Sequence, residues 1–261
     1  LIEEVKKCKS KAASFTGGDP LLTPDKVIIY AKSLKEKFGQ NFFIHLYTPG
    51  REGSKIIFEK LSQYIDEIRF HPKNEKDVER MLDALDYSWS VGIEIPAVPG
   101  LHEKKFFNDY IKKYAEKVIQ MKKDFSFLNI NQLEISERNF SNLVQRGYID
   151  DKETNYIGNI VNGSEEEANK LIQIISNQYP HINIHYCPAG QKDGVQLPNR
   201  LLHRAHSVML PSDFVIEDWT ETDSSRGLLI RGVIRLNNGL IHTLDIHQFL
   251  VDLRKTLMET F

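Results

Sequence analysis

A pair of glycines followed by an acidic residue and a proline is the part of this sequence best suited to bind a ligand. Gly17 and Gly18 follow a short strand-like run that ends at Thr16, and Asp19 and Pro20 come directly after them. Because neither glycine carries a Cβ atom, the backbone can approach a ligand closely. Free backbone N–H and C=O groups at such a turn can bind an ammonium group or a carboxylate. A tight structural turn also explains the pattern, so the motif alone leaves both interpretations open.

Short β-type runs alternate with amphipathic helical patterns through most of the 261 residues. One helical pattern begins at Thr23 and Pro24 and ends before Gly39, and another begins at Ser164 as a capping box. Such alternation is typical of parallel strands joined by crossover helices. The predicted strands cover residues 13–16, 42–48, 67–71, 90–96, 127–135 and 182–187.

This alternation stops near residue 211. Beyond it, Asn237-Asn-Gly239 separates two β-type runs at 228–236 and 240–246, which is a strong hairpin signal. A final helical pattern covers residues 248–259. We therefore predict a barrel-like domain over residues 1–210 and a C-terminal α+β extension over residues 211–261.

The predicted strands carry one aliphatic face and one polar face, because successive side chains point to opposite sides. Helices can cover the aliphatic faces, which leaves the polar faces inward in a closed barrel. Each buried polar group costs about 1–3 kcal/mol if it finds no partner. We therefore predict an active-site barrel with a ligand-filled interior; a self-satisfied polar core, or a sheet with one wetted face, is the alternative. The inward side chains are those of His45, Tyr47, Arg69, His71, Glu94, Asn129, Asn131, Asn183, His185 and Cys187.

Composition excludes several other classes of protein. The formal net charge is −2, so no global basic field favours a nucleic-acid partner. Cys8 and Cys187 are the two cysteines, and two such distant thiols indicate a reducing compartment without a disulfide framework. No apolar run reaches the length that spans a bilayer. A cytoplasmic protein without membrane contact is the prediction.

Several sequence motifs together resemble a largely archaeal family of radical S-adenosylmethionine (SAM) proteins related to pyruvate formate-lyase activating enzyme. Gly17-Gly-Asp-Pro20 is similar to the Gly-Gly-Glu-Pro motif of radical SAM enzymes, with Asp19 in place of the commoner glutamate. The resemblance covers essentially the whole chain. The other segments that carry it are His45–Gly50, Asp66–Pro72, Gly92–Gly100, Asn129–Glu134 and His185–Pro188.

The resemblance implies a fold and a chemistry. The fold is α/β, a partial TIM-like (β/α) barrel of parallel strands. The chemistry is reductive cleavage of SAM by a [4Fe–4S] cluster, which gives a 5′-deoxyadenosyl radical that abstracts hydrogen from an unknown substrate. An electron donor such as ferredoxin or flavodoxin is expected. The substrate class is left open between a small molecule, a peptide and RNA.

The resemblance also implies roles for individual residues. Arg69 suits a carboxylate because its guanidinium is always charged and presents a planar fork of donors, although an internal ion pair with Glu94 is an equal alternative. Weaker candidates for substrate contact are His45, His185 and Lys192. The residues expected to bind SAM are Thr16, Gly17, Gly18, Asp19, Pro20, Arg69, His71, Glu94 and Asn131.

The cluster itself has no ligand set in this chain. The family binds it through a Cys-x₃-Cys-x₂-Cys loop before the glycine motif, whereas Cys8 stands alone in a helical pattern and is predicted to be a small buried residue. We expect the three cysteines upstream of Leu1, which lies inside a helical pattern, and we expect this segment to be inactive without them. A degenerate relative is the alternative.

Two other functions remain open at this stage. A metal-dependent barrel hydrolase or isomerase could use His45, His71, Glu94 and His185 as ligands at strand ends. That hypothesis explains the polar interior but leaves the Gly-Gly-Asp-Pro motif unexplained. A barrel that has lost its cluster and binds a nucleotide or a partner is the second.

Overall fold

The computed structural model describes residues 1–123, 126–148, 160–210, 214–215 and 229–230. The chain divides into two compact units, Leu1–Leu197 and Pro198–Phe261. Within the second unit, Phe214–Val215 and Leu229–Ile230 pair as short antiparallel strands. Apart from Leu229–Ile230, the predicted hairpin and the predicted C-terminal helix lie outside the described residues, and the predicted domain division stays a prediction.

The first unit is built on a six-stranded parallel sheet. Its strands are β1 Ala12–Phe15, β2 Phe43–Thr48, β3 Glu67–Phe70, β4 Ser90–Pro96, β5 Ser126–Asn131 and β6 Asn183–Cys187. Their spatial order in the sheet follows their order in the chain. Within the described residues, β1 pairs only with β2 and β6 only with β5, so the sheet is open. Sequential order with parallel pairing is the arrangement of a (β/α) barrel, and the predicted class, a partial barrel of parallel strands, is confirmed.

The helices begin and end close to the predicted boundaries. The second helix runs from Pro24 to Phe38 and is followed by Gly39 at φ +91°. The predicted capping box at Ser164 is wrong, because Gly163 is the N-cap and the Ser164 hydroxyl accepts a hydrogen bond from the Leu133 N–H at 2.8 Å. The described helices are α1 Ile2–Lys7, α2 Pro24–Phe38, α3 Lys55–Leu61, α4 Glu75–Ala84, α5 Lys105–Gln120, α6 Phe140–Gln145, α7 Ser164–Gln178, α8 Ala189–Gln191 and α9 Leu197–Val208.

The core lies between the aliphatic face of the sheet and the helices. Ile44 and Leu46 of β2 are fully buried, whereas His45 and Tyr47, which alternate with them along the strand, are partly exposed. Phe58 of α3 and other helical residues belong to the same buried cluster as these strand residues. The sequence-based phase of alternation is therefore right, and the polar side chains lie on the face of the sheet that is turned away from this core.

Phe127 of β5 lies against the neighbouring strand β4 at Gly92. A Cβ atom added at Gly92 would meet the Phe127 ring at 2.1 Å. No real Cβ contact is that short, so glycine is required here to leave space for the ring on the polar face. The ring in turn lies within 5.6 Å of the Arg69 guanidinium carbon.

We expect Gly92→Ala to lower the free energy of unfolding by about 1–3 kcal/mol, because the new methyl group displaces the Phe127 ring. Gly190→Ala is the control, since an added Cβ there has no heavy atom within 4 Å. Urea unfolding of both variants checks this. Equal stability of the two would show that Phe127 moves aside at no cost.

Candidate functional site

The carboxyl ends of β1 to β6 lie along one edge of the sheet, because all six strands are parallel. The glycine turn follows β1 at this edge, and Thr48 ends β2. His71 follows β3, and its backbone N–H donates to the Thr48 carbonyl at 3.0 Å. The structure therefore places the glycine motif and His71 at the same carboxyl edge of the sheet, which is where (β/α) proteins carry their active sites.

The glycine turn is open on the side where a side chain would project. Gly17 has φ +85° and Gly18 has φ +67°, which are left-handed conformations that favour glycine. A Cβ atom added at either position would have no heavy atom within 4 Å. Thr16 is exposed beside the turn and Pro20 is buried behind it. Internal packing therefore does not require glycine here; the backbone conformation does, and a ligand that approaches this backbone would too.

Asp19 has one satisfied and one unsatisfied carboxylate oxygen. Its Oδ1 atom accepts hydrogen bonds from the Leu21 N–H at 3.1 Å and from the Thr48 hydroxyl at 2.7 Å. The first of these bonds caps the short 3₁₀ helix Pro20–Leu22. The Oδ2 atom is buried and has no donor among the described residues. An unpaired buried acceptor is uncommon and calls for an explanation.

Arg69 is bonded to several neighbours on the polar face through its Nε and Nη1 atoms. Its Nε atom donates to Glu67 at 2.5 Å, and its Nη1 atom donates to Glu94 at 2.9 Å and to the Tyr47 hydroxyl at 2.7 Å. The guanidinium carbon also lies 5.2 Å from the centroid of the Tyr47 ring and 5.6 Å from that of Phe127. The internal ion pair left open by the sequence is therefore formed, whereas a contact between Arg69 and SAM stays a prediction.

Glu94 connects Arg69 to two asparagines of β5. It accepts hydrogen bonds from the Asn129 amide at 3.1 Å and from the Asn131 amide at 3.0 Å. A carboxylate paired with arginine can only accept, so both asparagines must turn their NH₂ groups toward Glu94. Their Oδ1 atoms are therefore turned away from Glu94. Three of the predicted residues (Arg69, Glu94 and Asn131) belong to this one network.

His45 and His71 both favour the neutral imidazole. Burial, with a smaller contribution from Arg69, lowers the pKa of His45 to about 4. Burial, followed by the charge of Lys73, also lowers the pKa of His71. The Nδ1 atom of His45 is buried without a partner among the described residues. Neutral imidazoles at these positions can donate or accept a hydrogen bond but carry no charge near neutral pH.

The remaining predicted residues lie toward the other end of the sheet. His185 of β6 is exposed and in register with Asn129. Lys192 donates to Glu134 at 2.7 Å.

Cys187 is buried, while Cys8 is only partly buried, which corrects the prediction that Cys8 is a buried residue. Within the described ranges, no three side chains of His, Cys, Asp or Glu are arranged to hold a metal ion.

Glu167 is a buried carboxylate in the first turn of α7. It is 3% exposed and accepts hydrogen bonds from the Gly100 N–H at 2.9 Å and the His102 N–H at 2.7 Å. It also lies 2.8 Å from the His102 Nδ1 atom. Glu167 therefore ties the loop after β4, at the carboxyl edge of the sheet, to the first turn of α7. The sequence does not distinguish Glu167 from the two glutamates that precede it, Glu165 and Glu166, although both of those are exposed in the structure.

We expect Glu167→Gln to lower the free energy of unfolding by about 1–3 kcal/mol, since a neutral amide accepts fewer and weaker bonds from these donors. Amide exchange at Gly100 and His102 should accelerate at the same time. Glu166→Gln, in the same helical turn, is the control and should change neither quantity. Unaltered exchange in Glu167→Gln would show that the loop is held by other contacts.

We expect His45 to make the protein less stable in acid. Its pKa in the folded state, about 4, lies below the ordinary value of 6.5, so the unfolded chain binds the proton more readily. The contribution of the neutral imidazole is complete above pH 6.5 and is lost as the pH falls toward 4. His45→Gln should therefore lose less stability between pH 7 and pH 4.5 than the wild type does. Unfolding curves at both pH values measure this, and identical losses would contradict it.

Comparison with known proteins finds similarity of this chain both to a known sequence and to solved structures. The chain is 34% identical over 249 residues to a protein of Methanocaldococcus jannaschii described as a "putative glycyl-radical enzyme activating enzyme", covering 91% of this chain. The chain spans 60% of the length of that relative. A domain of pyruvate-formate lyase-activating enzyme from Bacteroides vulgatus matches 67% of this chain and 98% of its own, with a TM-score of 0.46 and 15% identity. No family model matches the chain.

The sequence relationship agrees with the motifs described above. At 34% identity it covers 91% of the chain. The resemblance predicted from the sequence is therefore confirmed: this chain is similar over most of its length to a protein described as a glycyl-radical enzyme activating enzyme.

Proposed function

We propose that this chain is the part of a radical SAM activating enzyme that holds SAM and orients the substrate, a glycyl-radical enzyme. The M. jannaschii relative supports the class of enzyme. The observation that carries the proposal is the glycine turn, because it combines open space above Gly17 and Gly18 with an unpaired acceptor on Asp19.

The residues at the turn fit the methionyl end of SAM. The backbone of Gly17 and Gly18 is accessible, and the Asp19 Oδ2 atom lacks the donor that an ammonium group would supply. Thr16, Pro20, His71, Glu94 and Asn131 are the further proposed SAM-binding residues. When bound, SAM supplies the hydrogen-abstracting chemistry of the class. The chain's own residues bind and orient the reactants and limit the access of water.

The residues present do not fit a [4Fe–4S] cluster. Three thiolates are needed to leave one iron open, whereas Cys8 and Cys187 are two cysteines at distant points of the chain. Cys8 follows α1, and Cys187 ends β6. We therefore assign no ligand of the cluster to this chain, and cysteines outside it would have to supply the site.

The polar face is proposed as the surface that receives the substrate. His45 and His185 remain candidates for contact, and Lys192 is the third. The reductant is proposed to be a ferredoxin or a flavodoxin, and the reaction to take place in the cytoplasm. Across the described part of the chain, no helix has both the length and the apolar character to cross a bilayer.

A metal-dependent hydrolase is less well supported. Its proposed ligands were His45, His71, Glu94 and His185, but Glu94 is bound to Arg69, Asn129 and Asn131. The described residues hold no group of three side chains suited to a metal ion. A barrel that only binds a nucleotide remains the second candidate, and SAM binding without turnover would favour it.

Gly18→Val tests the proposed function. We expect SAM binding by the full natural protein to be lost, because the branched side chain would fill the open space over the turn. The positive φ adds strain of about 1–3 kcal/mol. Gly147→Val controls for that strain, since Gly147 has a similar positive φ of +74° with nothing within 4 Å of an added Cβ atom, and it follows α6.

Equilibrium dialysis with labelled SAM measures binding, and thermal melting reports the fold. Both variants should lose similar stability, while only Gly18→Val should lose SAM binding. Normal SAM binding by a folded Gly18→Val variant would show that the motif is only a structural turn, and the proposal would lose its main support.

A further inference from the structure

Thr48 has a polar side chain but lies on the aliphatic face of β2. Its neighbours on that face, Ile44 and Leu46, are fully buried, and Thr48 is fully buried as well. A hydroxyl in such a position must find partners or cost about 1–3 kcal/mol. It finds two: it accepts from the Gly50 N–H at 2.9 Å and donates to Asp19 Oδ1 at 2.7 Å.

These two bonds determine how the Asp19 carboxylate is held. The Gly50 N–H can only donate, so it occupies a lone pair of the Thr48 oxygen and leaves the hydroxyl proton for Asp19. The Leu21 N–H donates to the same Oδ1 atom at 3.1 Å. Both donors therefore converge on Oδ1, and the rotation of the carboxylate about its last bond is fixed. The Oδ2 atom is the oxygen that remains for another donor, and no described residue supplies one.

We propose that Thr48 is a positioning residue for SAM, acting through Asp19: by holding Oδ1, it keeps Oδ2 available to accept a hydrogen bond from the methionyl ammonium group. This inference rests on the proposed function. Aspartate is one methylene shorter than the glutamate common at this position of the motif, so its carboxylate lies closer to the backbone. The hydroxyl of Thr48 and the cap of the 3₁₀ helix give this shorter side chain a single orientation.

The test compares two substitutions of Thr48 in the full natural protein. Thr48→Val has nearly the same shape but no hydroxyl, so Asp19 loses a fixed partner and can rotate. We expect its affinity for SAM to fall about tenfold, which corresponds to ~1.4 kcal/mol. Thr48→Ser retains the hydroxyl and should keep the wild-type affinity within about twofold, a factor that corresponds to less than ~0.5 kcal/mol.

A second ligand separates positioning from general damage to the site. The 2-oxo analogue of SAM has a keto oxygen in place of the amino group, so it cannot donate to Asp19. Thr48→Val should bind this analogue with the affinity of the wild type, whereas its affinity for SAM should fall. Equal loss for both ligands would overturn the inference, because it would mean that Thr48 supports only the shape of the turn.

The outcomes also separate this inference from the proposed function. If the wild type fails to bind SAM, the proposed function fails. If the wild type binds SAM and Thr48→Val binds it equally well, only the positioning role of Thr48 is overturned. Should melting show that Thr48→Val does not fold, Thr48→Ala is measured with both ligands, since it removes the hydroxyl and leaves space for water beside Asp19. The same selective loss for SAM is expected.

Discussion

The ion pair between Arg69 and Glu94 determines the chemistry of the polar face of the sheet. Both side chains are about one-fifth exposed, and their closest atoms are 2.9 Å apart. Partly desolvated charges of this kind are stable only when they are paired and hydrogen-bonded. Tyr47, Glu67, Asn129 and Asn131 supply those bonds. The face therefore has little charge to offer a ligand, although many of its residues are ionisable.

The pair also divides the polar face into two parts. Arg69 lies between the rings of Tyr47 and Phe127, and this layer fills the space over Gly92. Nearer the carboxyl edge lie His71, Glu94, Asn131 and the turn that bears Asp19. Of the two carboxylates there, Glu94 is already paired with Arg69, whereas the Oδ2 atom of Asp19 has no donor among the described residues.

Much of the fold follows directly from the sequence, whereas only part of the site does. Alternation of period two correctly separated Ile44 and Leu46 from His45 and Tyr47, because a strand with one buried face has no other register that buries its aliphatic residues. The start of α2 was equally predictable from Pro24. Glu167 was not, since its three contacts join segments about 65 residues apart. Thr48 could have been found, because alternation places its hydroxyl on the apolar face, where it needs a partner.

The order of the strands has a consequence for how the protein folds. Among the described strands, every pairing joins two strands that are consecutive in the chain, from β1 to β6. No pairing has to wait for a distant segment, so the sheet can grow by adding one strand and one helix at a time to an existing edge. During synthesis, which proceeds from the N-terminus, each of β2 to β6 meets a neighbour that has already been made. Of these described strands β6 is made last, so its histidine and its buried thiol join a sheet on which the glycine turn and the Arg69 layer are already in place.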